Sequence, residues 1–280
     1  VPALPSWLTE PLWDQFAVLL PERPEFRPDH PLGCHRRRIS DRVIFDKLLQ
    51  LLRFGCSYEA IADTTCSATT IRSRRDEWIR LGVFAGLKQI ALESYDRIAG
   101  LVLDHIAVDG SITKAPGGGE AAGRSPVDRG KQGLKRSGMT DGNGIPLGAC
   151  PGRRQPPRLT PARPHAEPPG QPRPATRWHH RAPGCRLRLG QDPRSARRTR
   201  LPRPLAHNGE KAPVQAGQRW YAERTHAWQN AFYRLARCYE RRTTVIGAFF
   251  DLTDTIIIMR SLIRQAWTTH RWNERPNRRP

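Results

Sequence analysis

From Pro151 to Leu205 the chain contains thirteen Pro and fourteen Arg, with no Lys and no Ile, Val, Phe or Tyr. Such a stretch cannot bury enough apolar surface to offset the entropy of ordering it. Any core must therefore come from the sequence on either side. Read literally, the run is a disordered basic insert. At 280 residues the chain has room for two domains with real cores. Its formal net charge is +21; the run holds +12 of this, with only Glu167 and Asp192 opposing its arginines, and the other 225 residues hold +9. A balance this basic points to a polyanion, with nucleic acid the default partner.

The six cysteines form no CxxC pair and no Cys/His set with zinc spacing, which suits a reducing compartment. Residues 1–30 lack a basic segment followed by an apolar core, and apolar runs such as Ile256 to Met259 are too short to span a bilayer. A cytoplasmic, nucleoid-associated protein is expected. Residue 1 is Val, which fits a GTG start or a clipped N-terminus.

Apolar periodicity predicts a helix from Thr9 to Leu20, with Thr9 as N-cap, Pro21 as stop and Trp7, Leu8, Leu12, Trp13 and Phe16 as its stripe. A second helix, with Val43, Ile44, Leu48, Leu51 and Leu52 at helical spacing, is capped by Ser40 and ended by Gly55. A short helix fits "SYEAIADT". Another begins at Ser67 and carries Ile71, Trp78 and Ile79 inward. The last two, short and closely joined, outline a helix-turn-helix, with Thr69, Thr70, Arg72, Arg74 and Arg75 on or near the groove-facing side. A plain helical bundle with solvated arginines fits the same pattern.

Beyond Leu87 comes a helix, then "LVLDHIAVDGS", which reads as a buried strand ending in Asp109. "GLKRSGMTDGNGIPLG" reads as a β-hairpin around DGNG. A helix is expected from Gln218 through "YERR", with Trp220, Thr225 to Trp228, Phe232 and Leu235 inside, and a final apolar helix follows from Val245. Two-metal phosphodiester chemistry needs carboxylates converging from separate elements, and Asp109 with Glu223 are suitable parts. A strand-end Asp that caps a turn and a Glu on a solvated helix face would look the same.

The wording around these residues is more specific. "HIAVDGSITKAP", "RGKQGLKRSGMTDGNGIPLG" and "GEKAPVQAGQRWYAERTHAWQNAFYRLARCYERR" together resemble the DDE transposases of bacterial insertion sequences, the RNase H-like group related to insertion sequence five. The likeness covers almost the whole chain except the Arg/Pro run. It implies a mixed α/β architecture in which an N-terminal helix-turn-helix-like module (1–95) precedes an RNase H-like catalytic domain. That domain would have its first half at 100–148, an interruption at 149–205, C-terminal helices at 206–267 and a basic tail at 268–280.

By the same likeness Asp109 and Glu223 are the first and third acids of the catalytic triad and ligands of two Mg²⁺ (or Mn²⁺). Arg219 is the arginine of the Arg-x-x-x-Glu signature, while Ala216 stands where some relatives carry Tyr. Lys114, Arg219 and Arg224 would steer phosphates. The implied partners are double-stranded DNA, as terminal inverted repeats and target, and a second copy of the chain in a homodimer.

The second Asp of the triad is missing: Asp192, in "GQDPRS", has no strand before it. A slip of one reading frame accounts for this. Codons chosen for Gly184 to Arg198 and read one base later give "DAGYDSGKTRDLLAE", and Arg153 to Pro164 treated likewise give "GANRHDSPLLAP". Both strings regain the apolar content that the run lacks, and the first supplies the acid. Ordinary wording resumes at "AHNGEKAP", which requires a compensating shift near Leu205. The expectation is a catalytically impaired copy. The rivals are a non-catalytic DNA-binding remnant and an unfolded pseudogene product.

Overall fold

A computed structural model describes residues 2–23, 26, 37–124, 132–151 and 216–269. Asp192, most of the Arg/Pro run and the tail beyond 269 lie outside the described residues. Five helices come first: α1 (Ser6–Val18), α2 (Asp41–Phe54), α3 (Tyr58–Ile61), α4 (Ala68–Arg80) and α5 (Val83–Ala99). The strands β1 (Ala107–Lys114), β2 (Ala122–Arg124), β3 (Gln132–Thr140) and β4 (Pro146–Pro151) follow, then α6 (Ala216–Asn230), α7 (Tyr233–Ala236) and α8 (Thr243–Thr269). The architecture is thus a mixture of helix and sheet.

Local chemistry explains most of the boundaries. Ser40 accepts a hydrogen bond from the Arg42 amide, and Gly55 ends α2 in the left-handed region at φ 68°. Ser67 accepts from the Thr70 amide and so starts α4. The first helix differs from the sequence expectation. The Pro5 carbonyl takes the amides of Leu8 and Thr9, so α1 begins at Ser6, and the Thr9 hydroxyl donates back to Pro5 instead of capping.

All strand pairings are antiparallel, with β3 in the centre: β1 lies along one edge, and β2 and β4 share the other. Leu134, Arg136, Gly138 and Thr140 alternate inward along β3. Directly paired residues point to the same side, so Asp109, Ser111 and Thr113, opposite Gly138, Arg136 and Leu134, share that inner face. The hairpin expected at DGNG is present. Asp141 is buried there; its Oδ1 accepts the amides of Asn143 (2.9 Å) and Ile145 (2.7 Å), and its Oδ2 accepts that of Val102 (3.1 Å).

The single helix expected from Gln218 through "YERR" is two pieces. It stops at Asn230, Phe232 turns extended, and after α7 the Cys238 amide donates to the Lys114 carbonyl at 2.8 Å. Phe232, Leu235 and Cys238 are buried in one cluster, and the break leaves the Cys238 amide able to pair with β1 instead of with its own helix.

One apolar cluster holds Leu12, Phe16, Leu48, Trp78, Phe232 and Phe249, drawn from α1, α2, α4, α6–α7 and α8. The N-terminal helices therefore share a core with the C-terminal ones, and the boundary expected near residue 95 is not a break in packing. A buried polar cluster reinforces the junction. Tyr58 donates to Glu240 (3.2 Å), Arg234 Nε donates to the same carboxylate (2.9 Å) and Arg75 donates to the Tyr58 hydroxyl. Burial raises the Tyr58 phenol, with help from Glu240, to about 12, so it stays protonated as a donor.

Candidate functional site

Asp109 is the third residue of β1 and not its last, because β3 pairs with β1 from Ala107 to Lys114. The expected strand-end carboxylate is corrected to one near the strand's start. Helix α6 crosses the sheet at this point and lays His226 over the Asp109–Gly138 pair. His226 Nε2 lies 3.9 Å from Asp109 Oδ2. Only glycine fits opposite: a Cβ at position 138 would meet His226 Cε1 at 2.9 Å. Gly138→Ala is expected to push α6 off the sheet and cost about 1–3 kcal/mol, measured by urea unfolding. A change below about 0.5 kcal/mol would show that the helix yields freely.

Glu223 stands one turn before His226 on the same helix and is exposed. Its position is set by a double attachment of α6 to the DGNG turn. The Arg224 guanidinium donates to the Asn143 carbonyl at 2.5 Å, and the Thr225 hydroxyl donates to that of Gly144 at 2.6 Å. Arg224 is also enclosed by Trp220, Tyr221 and Trp228, with its guanidinium carbon 4.2, 5.4 and 4.9 Å from the ring centroids. These contacts fix the position of Arg224, one of the arginines expected to steer phosphates. Arg219 lies in the first turns of α6, and its side chain is outside the described residues. Lys114 ends β1, five residues beyond Asp109 and so about 16 Å along the strand.

Under this surface is a polar layer that sequence reading missed. Arg136 is fully buried; its Nε donates to Ser111 Oγ (2.6 Å), one terminal nitrogen donates to Asn230 Oδ1 (2.8 Å), and its guanidinium lies over Phe250. Burial lowers its pKa to about 10. Desolvation first, and the Arg136 charge second, hold His226 below the usual imidazole range, against the opposing pull of Asp109. His226 is therefore neutral at pH 7. Deeper still, Asp254 accepts from Lys88 and from Gln229, both at 2.7 Å. The isolated polar letters of α5, α6 and α8 carry no spacing signal that would join them.

Among the described residues no three His, Cys, Asp or Glu side chains gather as a metal cage requires. Asp109 and Glu223 are brought to neighbouring elements, but the described residues do not by themselves fit a metal pair.

The expected groove-facing helix is α4. Thr69 is exposed and Thr70 partly so, whereas Arg74 and Arg75 are each only 5% exposed. Arg74 pairs with Asp41 and Glu77, and Arg75 with Asp76 and Tyr58. The guanidinium groups of these two expected groove-facing arginines are thus buried and committed to partners inside the protein. Arg72 pairs with Glu59 and lies over the Tyr58 ring at 4.7 Å, with its side chain 41% exposed.

Residues 8–87, covering α1, α2, α3, α4 and the start of α5, match a family described as "Putative transposase of IS4/5 family". The chain is also 33% identical over 156 residues to the "Putative transposase for insertion sequence element IS402" of Burkholderia cepacia, a match covering 51% of this chain and 70% of that protein. The chain belongs to the insertion-sequence transposases. No solved structure matches it. The family match falls on the helical module of this transposase, whose core continues into β3, α7 and α8. Among the described residues of the transposase no helix is long and apolar enough to cross a membrane.

Proposed function

We propose that this transposase binds the terminal inverted repeats of its element as double-stranded DNA, and that its lineage performs DNA cleavage and strand transfer at an RNase H-like DDE site built on Asp109 and Glu223. The observation that carries the reading is the 33% identity extending over 70% of the insertion-sequence relative. The antiparallel sheet crossed by α6, which brings a strand Asp and a helix Glu to one region, supports it. The two Mg²⁺ or Mn²⁺ ions implied by the sequence resemblance would take Asp109 and Glu223 as two of their ligands. A further acid must come from outside the described residues, and a one-frame slip accounts for its absence from this chain. This copy is therefore catalytically impaired. Pairing of two element ends on a homodimer belongs to the same reading.

A non-catalytic repeat-binding remnant is favoured over an unfolded product by the shared core joining α1–α5 to α7 and α8. Binding is tested by mobility shift with a duplex ending in the element's terminal repeat. Thr69→Ala and Arg72→Ala are each expected to weaken binding by about 1–3 kcal/mol with unchanged thermal unfolding. Arg74→Ala is expected to lower stability. Full repeat binding by the Thr69→Ala/Arg72→Ala double variant would remove α4 as the reading helix.

A further inference from the structure

A groove of about 340 Å³ lies between the N-terminus of α1, the C-terminal end of α6 and the middle of α8. Arg53, Arg260 and Arg264 stand around it with Trp7, Trp228 and Phe232, and among the described residues no Asp or Glu lines it. Arg260 and Arg264 are exposed and one turn apart on α8. Arg53 is anchored by donating to the Ala231 carbonyl and lies 5.7 Å over the Phe232 ring. Beyond the rim Trp7 meets Trp267 at 6.0 Å between centroids, and both indoles are largely exposed. Of these residues only Trp228 also touches the region of Asp109 and Glu223, through its contact with Arg224.

We propose that this groove holds an unpaired DNA strand, its bases stacked on Trp7 and Trp228 and its phosphates paired with Arg260 and Arg264. Several features select that occupant. The described lining is cationic, with three arginines and no carboxylate among its described residues, which fits a polyanion and repels a basic peptide. Flat indole faces beside arginines form the platform on which single strands stack, whereas a duplex hides its base faces. The volume falls within the range of about 300–1,000 Å³ that takes one small ligand, enough for a base to enter. Trp228 is five residues beyond Glu223, about 8 Å along α6, so a strand parted from its complement near Glu223 has a short path to the groove. The proposal rests on the transposase reading for the source of the strand, not for the chemistry of the groove.

The test is fluorescence anisotropy of the full chain with fluorescein-labelled (dT)20, in parallel with a duplex carrying the terminal repeat. Arg260→Ala/Arg264→Ala is expected to weaken (dT)20 binding at least ten-fold, to make its log–log salt slope shallower by about 1.4, and to leave duplex binding within three-fold. Trp7→Leu, which removes a stacking face and no charge, is expected to weaken (dT)20 binding about five-fold or more. Arg80→Ala/Arg97→Ala removes the same charge from exposed positions elsewhere and should change it less than three-fold. Equal losses in the groove and control pairs would overturn the proposal in favour of diffuse charge. Equal losses for (dT)20 and duplex would overturn it in favour of a duplex contact. Unchanged (dT)20 binding in Trp7→Leu would remove the stacking role. If the duplex fails to bind while (dT)20 binding still depends on the groove, the repeat-binding reading falls and the groove stands.

Discussion

Asp254→Ala is expected to destabilise the protein by about 3–5 kcal/mol, a large share of the roughly 5–15 kcal/mol that holds a domain of this kind together. Asp254 is fully buried and accepts from both Lys88 and Gln229. Burial works against the Lys88 charge, but Asp254 and then Asp251 outweigh it and hold the ammonium above its usual range. Asp251, at 3.4 Å, is the weaker partner, and burial raises its own pKa. Without Asp254 the ammonium is left inside the protein with that partner alone. The truncation also frees the Gln229 side chain, on the helix that carries His226 over Asp109. Lys88→Met/Asp254→Leu, which removes both charges, should lose much less than Asp254→Ala, because neither charge is left stranded. Urea unfolding followed by circular dichroism checks both. A loss under 1 kcal/mol for Asp254→Ala, or a double variant as unstable as the single, would show that the pair is solvated and not buried.

Reversing the proposed one-frame slip between about codons 150 and 205 is expected to turn a chain with no detectable nicking of repeat-bearing DNA into one that nicks it in Mg²⁺ buffer. The gain should be on the order of 10³-fold or more, the scale of removing or restoring one member of a catalytic set. The restored segment supplies "DAGYDS" and the apolar residues for a strand. Asp109→Asn in the restored chain should return nicking to background while leaving repeat binding intact. Nicking by the chain without the restored frame would mean that the site is completed without the acid of "DAGYDS". No gain on restoration would mean that Asp109 and Glu223 are not its other members. Resequencing the gene across this interval shows which chain the cell makes.

Much of this could be read in the letters alone. Ser40, Gly55 and Ser67 fix helix ends because their effects act within one turn of the backbone. DGNG fixes the hairpin for the same reason, and the motif words around Asp109 and Glu223 identify the family without any coordinates. The composition of 151–205, without Ile, Val, Phe or Tyr, sets that stretch apart from the rest of the sequence. Other features were decided by contacts between residues far apart in sequence. The strand does not end at Asp109 because β3 continues to pair beyond it. Arg74 and Arg75 are turned inward because Asp41 and Tyr58 wait there, a fact that no helical periodicity of charges can signal. The helix after Glu223 breaks at Asn230 because the core claims Phe232 and Leu235 while the Lys114 carbonyl claims Cys238. His226 reaches Asp109 because position 138 has no side chain to stop it. Local rules set where elements begin and which family wrote them; burial and pairing across the chain set which charges stay at the surface and which hold the protein together.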